Sequence, residues 1–301
     1  IPELDGSTGP LVFGGRSTGA GDQCTGCSRR CVFPASENEH DMQVCIERAD
    51  MLASRVGKLI DLKRAERANK KIAAVVFVIR FLIGGLVLLN PAWSVMLLIL
   101  ACLSLFFGNV IAIAQTNIKR MLGYSTVAHM GFVALGLVTV SVDGVSATIF
   151  YVVTYSLTAL AGFGILTMLS KGDFECQSLD DLKGLSKTHP VMAALVMLVM
   201  FSMAGIPPLV GFYAKFKILA ALLAAGYVGV AVFAVIMSLI GAFYYIRVVK
   251  VMYFDEPVKT LEMADVCVLS RSVLLVNVAL LVIIGVLPSA LMMYCNALVS
   301  G

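Results

Sequence analysis

From residue 72 onward the chain is written in long apolar blocks separated by short polar punctuation. A helix crossing hydrocarbon needs about 20 consecutive apolar residues. Seven stretches meet that need: Ile72–Leu89, Trp93–Gln115, Tyr124–Val142, Ala147–Leu169, Val191–Ala224, Tyr227–Tyr253 and Ser272–Leu291. The pattern predicts an all-α, polytopic membrane helix bundle with about seven transmembrane helices. The fifth is unusually long and is broken by Gly205-Ile206-Pro207-Pro208. Two prolines remove two backbone donors and free carbonyls in the turn before them, and such groups are tolerated in a membrane only against protein or water. The tetrapeptide (Gly205, Pro207, Pro208) therefore predicts either a hydrated pocket or a plain structural kink. Trp93, Tyr124, Tyr227, Tyr253 and Tyr294 fall at or near predicted span ends, where amphipathic rings settle.

The connections carry an orientation. Lys119, Arg120, Lys171, Lys183, Lys187, Arg247, Lys250, Lys259 and Arg271 collect in one set of loops, whereas Asn90-Pro91-Ala92, residues 141–146, Ala225-Gly226 and the tail from Asn296 contain no Lys or Arg. The positive-inside rule places the first set in the cytoplasm. Residues 1–71 are then cytoplasmic and the C-terminus lies outside.

Composition agrees with insertion in a membrane: 59% of the 301 residues are hydrophobic, 14% are charged and the mean hydropathy is +0.91. A soluble domain carries nearer a quarter charged residues. The net charge of +4 comes from short loops and implies lipid, not nucleic acid, as a partner. Residues 1–71 hold 11 of the 23 Lys/Arg and 10 of the 19 Asp/Glu, which divides the chain into a charged leader, 1–70, and a transmembrane domain, 71–301. Residues 47–71 fit a surface amphipathic helix or a solvated segment equally. Cys24, Cys27, Cys31 and Cys45 resemble a zinc or iron–sulfur ligand set loosely. Their spacing matches no standard finger, and a chance cluster in an unstructured leader is the simpler account. No nucleotide loop, nucleophile triad or metal-ligand set occurs in 72–301, so no metal and no cofactor is expected in this chain.

Polar groups inside the apolar blocks carry the functional signal. Lys215 lies about 7 residues, roughly 10 Å of helix, past Pro208, and a cation at mid-bilayer depth costs roughly 2.5–3.5 kcal/mol on insertion scales. It is a candidate proton donor and acceptor; snorkelling of its long stem is the alternative. Lys217 points to another face, where snorkelling is favoured. His129 lies inside the third span, with Ser125 and Thr126 one turn earlier on its face, and is either a proton carrier or a hydrogen-bonded structural histidine. Tyr151, Thr154, Tyr155 and Thr158 fall at i, i+3, i+4 and i+7, one helical face, which reads as a water-lined lane or as helix–helix hydrogen bonding. Arg80, near the middle of the first span, either pairs with a neighbour or snorkels.

Three stretches, GNVIAIAQTNIKRMLGYSTVAHMGF (Gly108–Phe132), FSMAGIPPLVGFYAKF (Phe201–Phe216) and YYIRVVKVMYFDEP (Tyr244–Pro257), closely resemble the subunit N family of NADH-quinone oxidoreductase, the antiporter-like membrane subunits of respiratory complex I. The resemblance runs from about Lys71 to Gly301. It implies a bacterial inner-membrane protein with two inverted five-helix repeats, of which this chain holds the C-terminal half of a fourteen-span fold. It further implies a proton relay of Lys71, His129 and Lys215, with Lys215 on the second broken helix near the outward exit. By the same resemblance the chain is a subunit of a translocase and its partners are other membrane subunits of complex I. NADH, FMN, iron–sulfur clusters and quinone belong to the complex and not to this chain. The first seven family spans have no counterpart here, so a truncated or frameshifted product, with 1–70 a non-native leader, is the expectation. A subunit of a multisubunit Na⁺/H⁺ antiporter and a non-conducting remnant are the alternative readings.

Overall fold

A computed structural model of the chain describes residues 74–86, 89–170, 176–256 and 268–300. Lys71, the four leader cysteines and the proposed boundary at residue 70 lie outside the described residues. All regular elements described are helical. Residues 74–85 form α1, whose second half, Arg80–Gly85, is a π-helix. Then come α2 (Asn90–Ile113), α3 (Ile118–Val138), α4 (Val142–Met168), a 3₁₀ turn (Leu179–Leu182), the single-turn α5 (Leu185–Thr188), α6 (Pro190–Ala204), α7 (Val210–Ala224), α8 (Val228–Phe254), α9 (Val268–Val286) and α10 (Pro288–Ser300).

The chain is an all-helical membrane protein. Among the described residues four helices are long and apolar enough to cross a bilayer: residues 92–113 of α2, then α3, α4 and α8; the bent pair α9–α10 makes a fifth if counted as one span. Their outward faces are apolar, as helices in hydrocarbon require. On α2, Val95, Ile99, Leu103, Phe106 and Val110 are exposed, and on α8 Val232, Ile236, Leu239, Phe243 and Ile246. The inward faces meet in one core that includes Leu105, Phe132, Phe150, Ile165, Val199, Ile218 and Val248.

The element ends differ from the apolar blocks for local reasons. α2 begins at Asn90, so Asn90-Pro91-Ala92 is a first turn and not a loop; proline is at home there because that position needs no backbone donor. α3 begins at Ile118, six residues before Tyr124, since the Asn117 side chain caps it by accepting from the Arg120 N–H at 3.1 Å. Lys119 and Arg120 therefore sit in a helical first turn. At the far end Val140, at φ 48°, stops α3, and Ser141 caps α4 by accepting from the Gly144 N–H. The expected straight span Ser272–Leu291 is instead bent by 84° at Leu287, because Pro288 supplies no donor to continue α9. Arg80 is exposed on the π-helical turn.

Among the described residues, the connections bearing Lys119, Lys183 and Lys187 lie together. The Ile118 N–H donates to Gln177 O (2.8 Å) and the Leu179 N–H to Thr116 O (3.1 Å), stitching the α2–α3 turn to the segment before α6. A capping box of Ser178 and Asp181 closes the 3₁₀ turn between them. Lys187 Nζ lies 3.5 Å from Glu256 Oε1 just past α8. Both groups are largely exposed, so that pair contributes little.

Candidate functional site

The last carbonyls of a helix need donor partners, and at the end of α6 they receive them from two sources. Gly205 adopts the left-handed conformation (φ 87°) and donates its N–H to Phe201 O and Ser202 O, while the Ile206 N–H also reaches Phe201 O at 3.0 Å. This glycine-terminated turn satisfies the first two orphan carbonyls. The remaining two belong to Met203 and Ala204, and both accept from one side chain. Lys215 Nζ donates to Met203 O at 3.1 Å and to Ala204 O at 2.8 Å. Its third hydrogen goes to Ser238 Oγ on α8 at 3.0 Å. An ammonium has three donors, and all three are engaged.

The break makes that geometry reachable. Residues 205–209 separate α6 from α7, with a cis Pro207–Pro208 bond, and α7 restarts at Val210. Lys215 lies on the second turn of α7 and its stem folds back over Gly205. A Cβ built at Gly205 would come within 3.2 Å of Lys215 Cδ and Nζ, so a side chain here would press on the lysine stem as well as strain the backbone at this φ. Lys215 is 8% exposed. The cation is stabilised by the negative end of the α6 dipole and by the Phe132 ring, whose centroid is 5.6 Å from Nζ. Snorkelling, the alternative for this side chain, is not what the structure shows.

His129 occupies the neighbouring position. Its Nδ1 lies 2.7 Å from Tyr151 Oη on α4 and its Nε2 3.1 Å from Tyr245 Oη on α8. Bridging two hydroxyls lets the ring hold either tautomer, the requirement for passing a proton through. The Tyr155 ring packs 4.6 Å from the imidazole, and its hydroxyl donates to Thr126 Oγ1 at 2.8 Å. Thr154 and Thr158 donate to the carbonyls of Phe150 and Thr154 one turn back, which leaves their oxygen lone pairs as acceptors.

A cavity of about 20 Å³ joins the two groups, lined by both Lys215 and His129 and by all four residues of the polar face, Tyr151, Thr154, Tyr155 and Thr158. That volume admits about one water molecule. Ser202 also lines it, with an Oγ that is buried and has no protein partner. Ser238, Tyr245 and Ser202 did not stand out in the sequence. Ser238 and Tyr245 lie seven residues apart on one face of α8, a helical repeat that could have been noticed. Among the described residues, no group of three or more His, Cys, Asp or Glu side chains is placed to hold a metal ion.

NADH-quinone oxidoreductase subunit N of Neisseria gonorrhoeae (strain ATCC 700825 / FA 1090) is 54% identical to the chain over 225 residues, 75% of this chain and 47% of that relative. The chain thus spans about half the length of the curated relatives it matches. Among solved structures, respiratory complex I from Thermus thermophilus with bound aureothin contains a similar chain at TM-score 0.59 and 32% identity, covering 65% of this chain and 44% of that one. The Mrp complex from Dietzia sp. DQ12-45-1b contains another at TM-score 0.67, over 76% of this chain and 51% of that one. Its 19% identity speaks for the fold alone. Residues 69–253 match the family described as NADH:quinone oxidoreductase/Mrp antiporter, transmembrane. That match covers both helices of the break and the His129 cavity, and the chain belongs to this family.

Proposed function

We propose that the chain supplies the proton-conducting half of an antiporter-like subunit N in NADH:quinone oxidoreductase. Protons pass between His129 and Lys215 through the cavity they share, with Lys71 earlier in the relay, as the family resemblance implies. The observation that carries this reading is the buried Lys215 ammonium, held by the carbonyls of a broken helix and facing the same cavity as a hydrogen-bonded histidine. A buried cation in a membrane helix marks an ion or proton pathway, and a broken helix is where transporters build such sites. Electron transfer from NADH to quinone takes place in partner subunits, which bind the flavin and the iron–sulfur clusters. In this reading α1 opens the first of seven spans, α6 and α7 form one broken span, and the Lys-bearing end faces the cytoplasm of a bacterial cell.

The Mrp-type antiporter reading shares the fold, so topology does not choose between them. The 54% identity to subunit N, against 19% for the Mrp chain, favours the complex I assignment.

The test is proton uptake per NADH oxidised in inverted membrane vesicles containing the assembled complex. Lys215→Ala lowers the ratio, and Lys215→Arg does not restore it, because a guanidinium stays charged at any accessible pH. An unchanged ratio in K215A, at wild-type assembly levels, refutes the relay.

A further inference from the structure

Lys215 has different neighbours on its two flanks. On one lies the cavity shared with His129. On the other lies Ser238 of α8, which does not line that cavity and is partly exposed where Lys215 is buried. Of the three acceptors on Nζ, two are backbone carbonyls, which receive a hydrogen bond but have no hydrogen to return. The Ser238 hydroxyl is the third, and it alone both accepts and donates.

We propose that Ser238 is the residue through which Lys215 discharges, so that protons arrive from the His129 cavity and leave along α8. In this step the Nζ–H bond facing Ser238 breaks and a new Oγ–H bond forms. The hydroxyl's original hydrogen leaves Oγ for a water molecule proposed on the flank of Ser238 away from the His129 cavity, carrying the positive charge with it. The product is a neutral amine whose two remaining N–H groups still donate to Met203 O and Ala204 O. Its new lone pair points at Ser238, whose newly acquired hydrogen donates back to Nζ. Every polar atom of the discharged state is thereby satisfied without a rotamer change. With no hydroxyl at 238, the lone pair faces no donor and the proton has no carrier on that flank. Ser238 lies ten residues into α8, about 15 Å from its start at 1.5 Å per residue, so the exit points toward the turn that joins α7 to α8.

This inference rests on the proposed relay, and one vesicle assay separates the two. Proton flux per NADH is measured for K215A, S238A and S238T in the assembled complex. Losing a hydrogen bond to a charged group corresponds to a tenfold or larger effect, so S238A lowers the Lys215-dependent flux by about tenfold. S238T, which keeps a hydroxyl at that position, retains most of it. Should S238A not assemble, S238V and S238T form an isosteric pair differing only in the hydroxyl, and the flux must separate them. Normal flux in K215A overturns the relay itself. A deficit in K215A with normal flux in S238A, or equal deficits in S238T and S238V, overturns the role of Ser238 alone.

Discussion

Gly285 of α9 lies against the backbone of the α6–α7 break, two residues before the bend at Leu287. A Cβ built there would sit 2.6 Å from both Pro208 O and Val210 N and 2.9 Å from Leu209 C. These neighbours are main chain, so none can rotate away. Restoring an ordinary C···O separation of about 3.4 Å from 2.6 Å requires the break and α9 to part by about 0.8 Å. Displacement of that size along the Nζ–Met203 O bond takes it from 3.1 Å to about 3.9 Å, beyond hydrogen-bond range. Gly285→Ala is therefore expected to destabilise the subunit by about 1–3 kcal/mol, the usual cost of overpacking, and to loosen Lys215 without touching it. The assay is a thermal melt of the purified complex together with proton uptake per NADH. Gly229→Ala serves as the comparison: nothing lies within 4 Å of its added Cβ, and a helical Gly→Ala change is stabilising by about 0.5–1 kcal/mol. If G285A melts and pumps like the parent, the contact between the two helix breaks does not hold the site together.

Two further outcomes follow from the geometry. Exchanging His129 for Gln preserves a group able to bridge Tyr151 and Tyr245 but not one that titrates, so H129Q keeps its melting temperature and loses flux. H129A loses both, because the buried Tyr151 hydroxyl loses its histidine partner at about 1–3 kcal/mol; full pumping in H129Q removes the histidine from the pathway. At the Lys-bearing end, burial pushes the Cys176 thiol up to about 12, with Asp181 adding to the rise and Lys119 opposing it. Its thiolate is then roughly one part in ten thousand at pH 8, and Cys176 resists maleimide in the folded protein but reacts once unfolded in detergent. Rapid labelling of the folded protein at Cys176 contradicts its buried placement.

Signals contained in a few adjacent residues were legible in the sequence. The break at Gly205–Pro208 shows because glycine and proline interrupt a helix wherever they stand, and Lys215 shows because a charge inside an apolar block has few explanations. His129 and the face of Tyr151, Thr154, Tyr155 and Thr158 were visible as polar groups, but their joint placement around one cavity was not. That placement needs Tyr245, 116 residues from His129. Ser238 was missed for a related reason: a serine in a membrane helix bonds its own backbone so often that only its partner identifies it. The bend at Leu287 was readable in principle, since Pro288 was present, but the apolar character on both sides concealed it. Helix starts moved for capping reasons at Asn117 and Ser141, which hydropathy does not register.

The pairing of Lys215 with the last two carbonyls of α6 means that occupancy and posture are one variable. In the proposed relay, each time the amine is charged the end of α6 is pulled toward α7, and each time it is neutral that tether relaxes to an ordinary dipolar contact. In that relay a rearrangement arriving from elsewhere in the assembly would be read at this point as a change in proton affinity, with no dedicated sensor, because the helix end is itself the counter-charge.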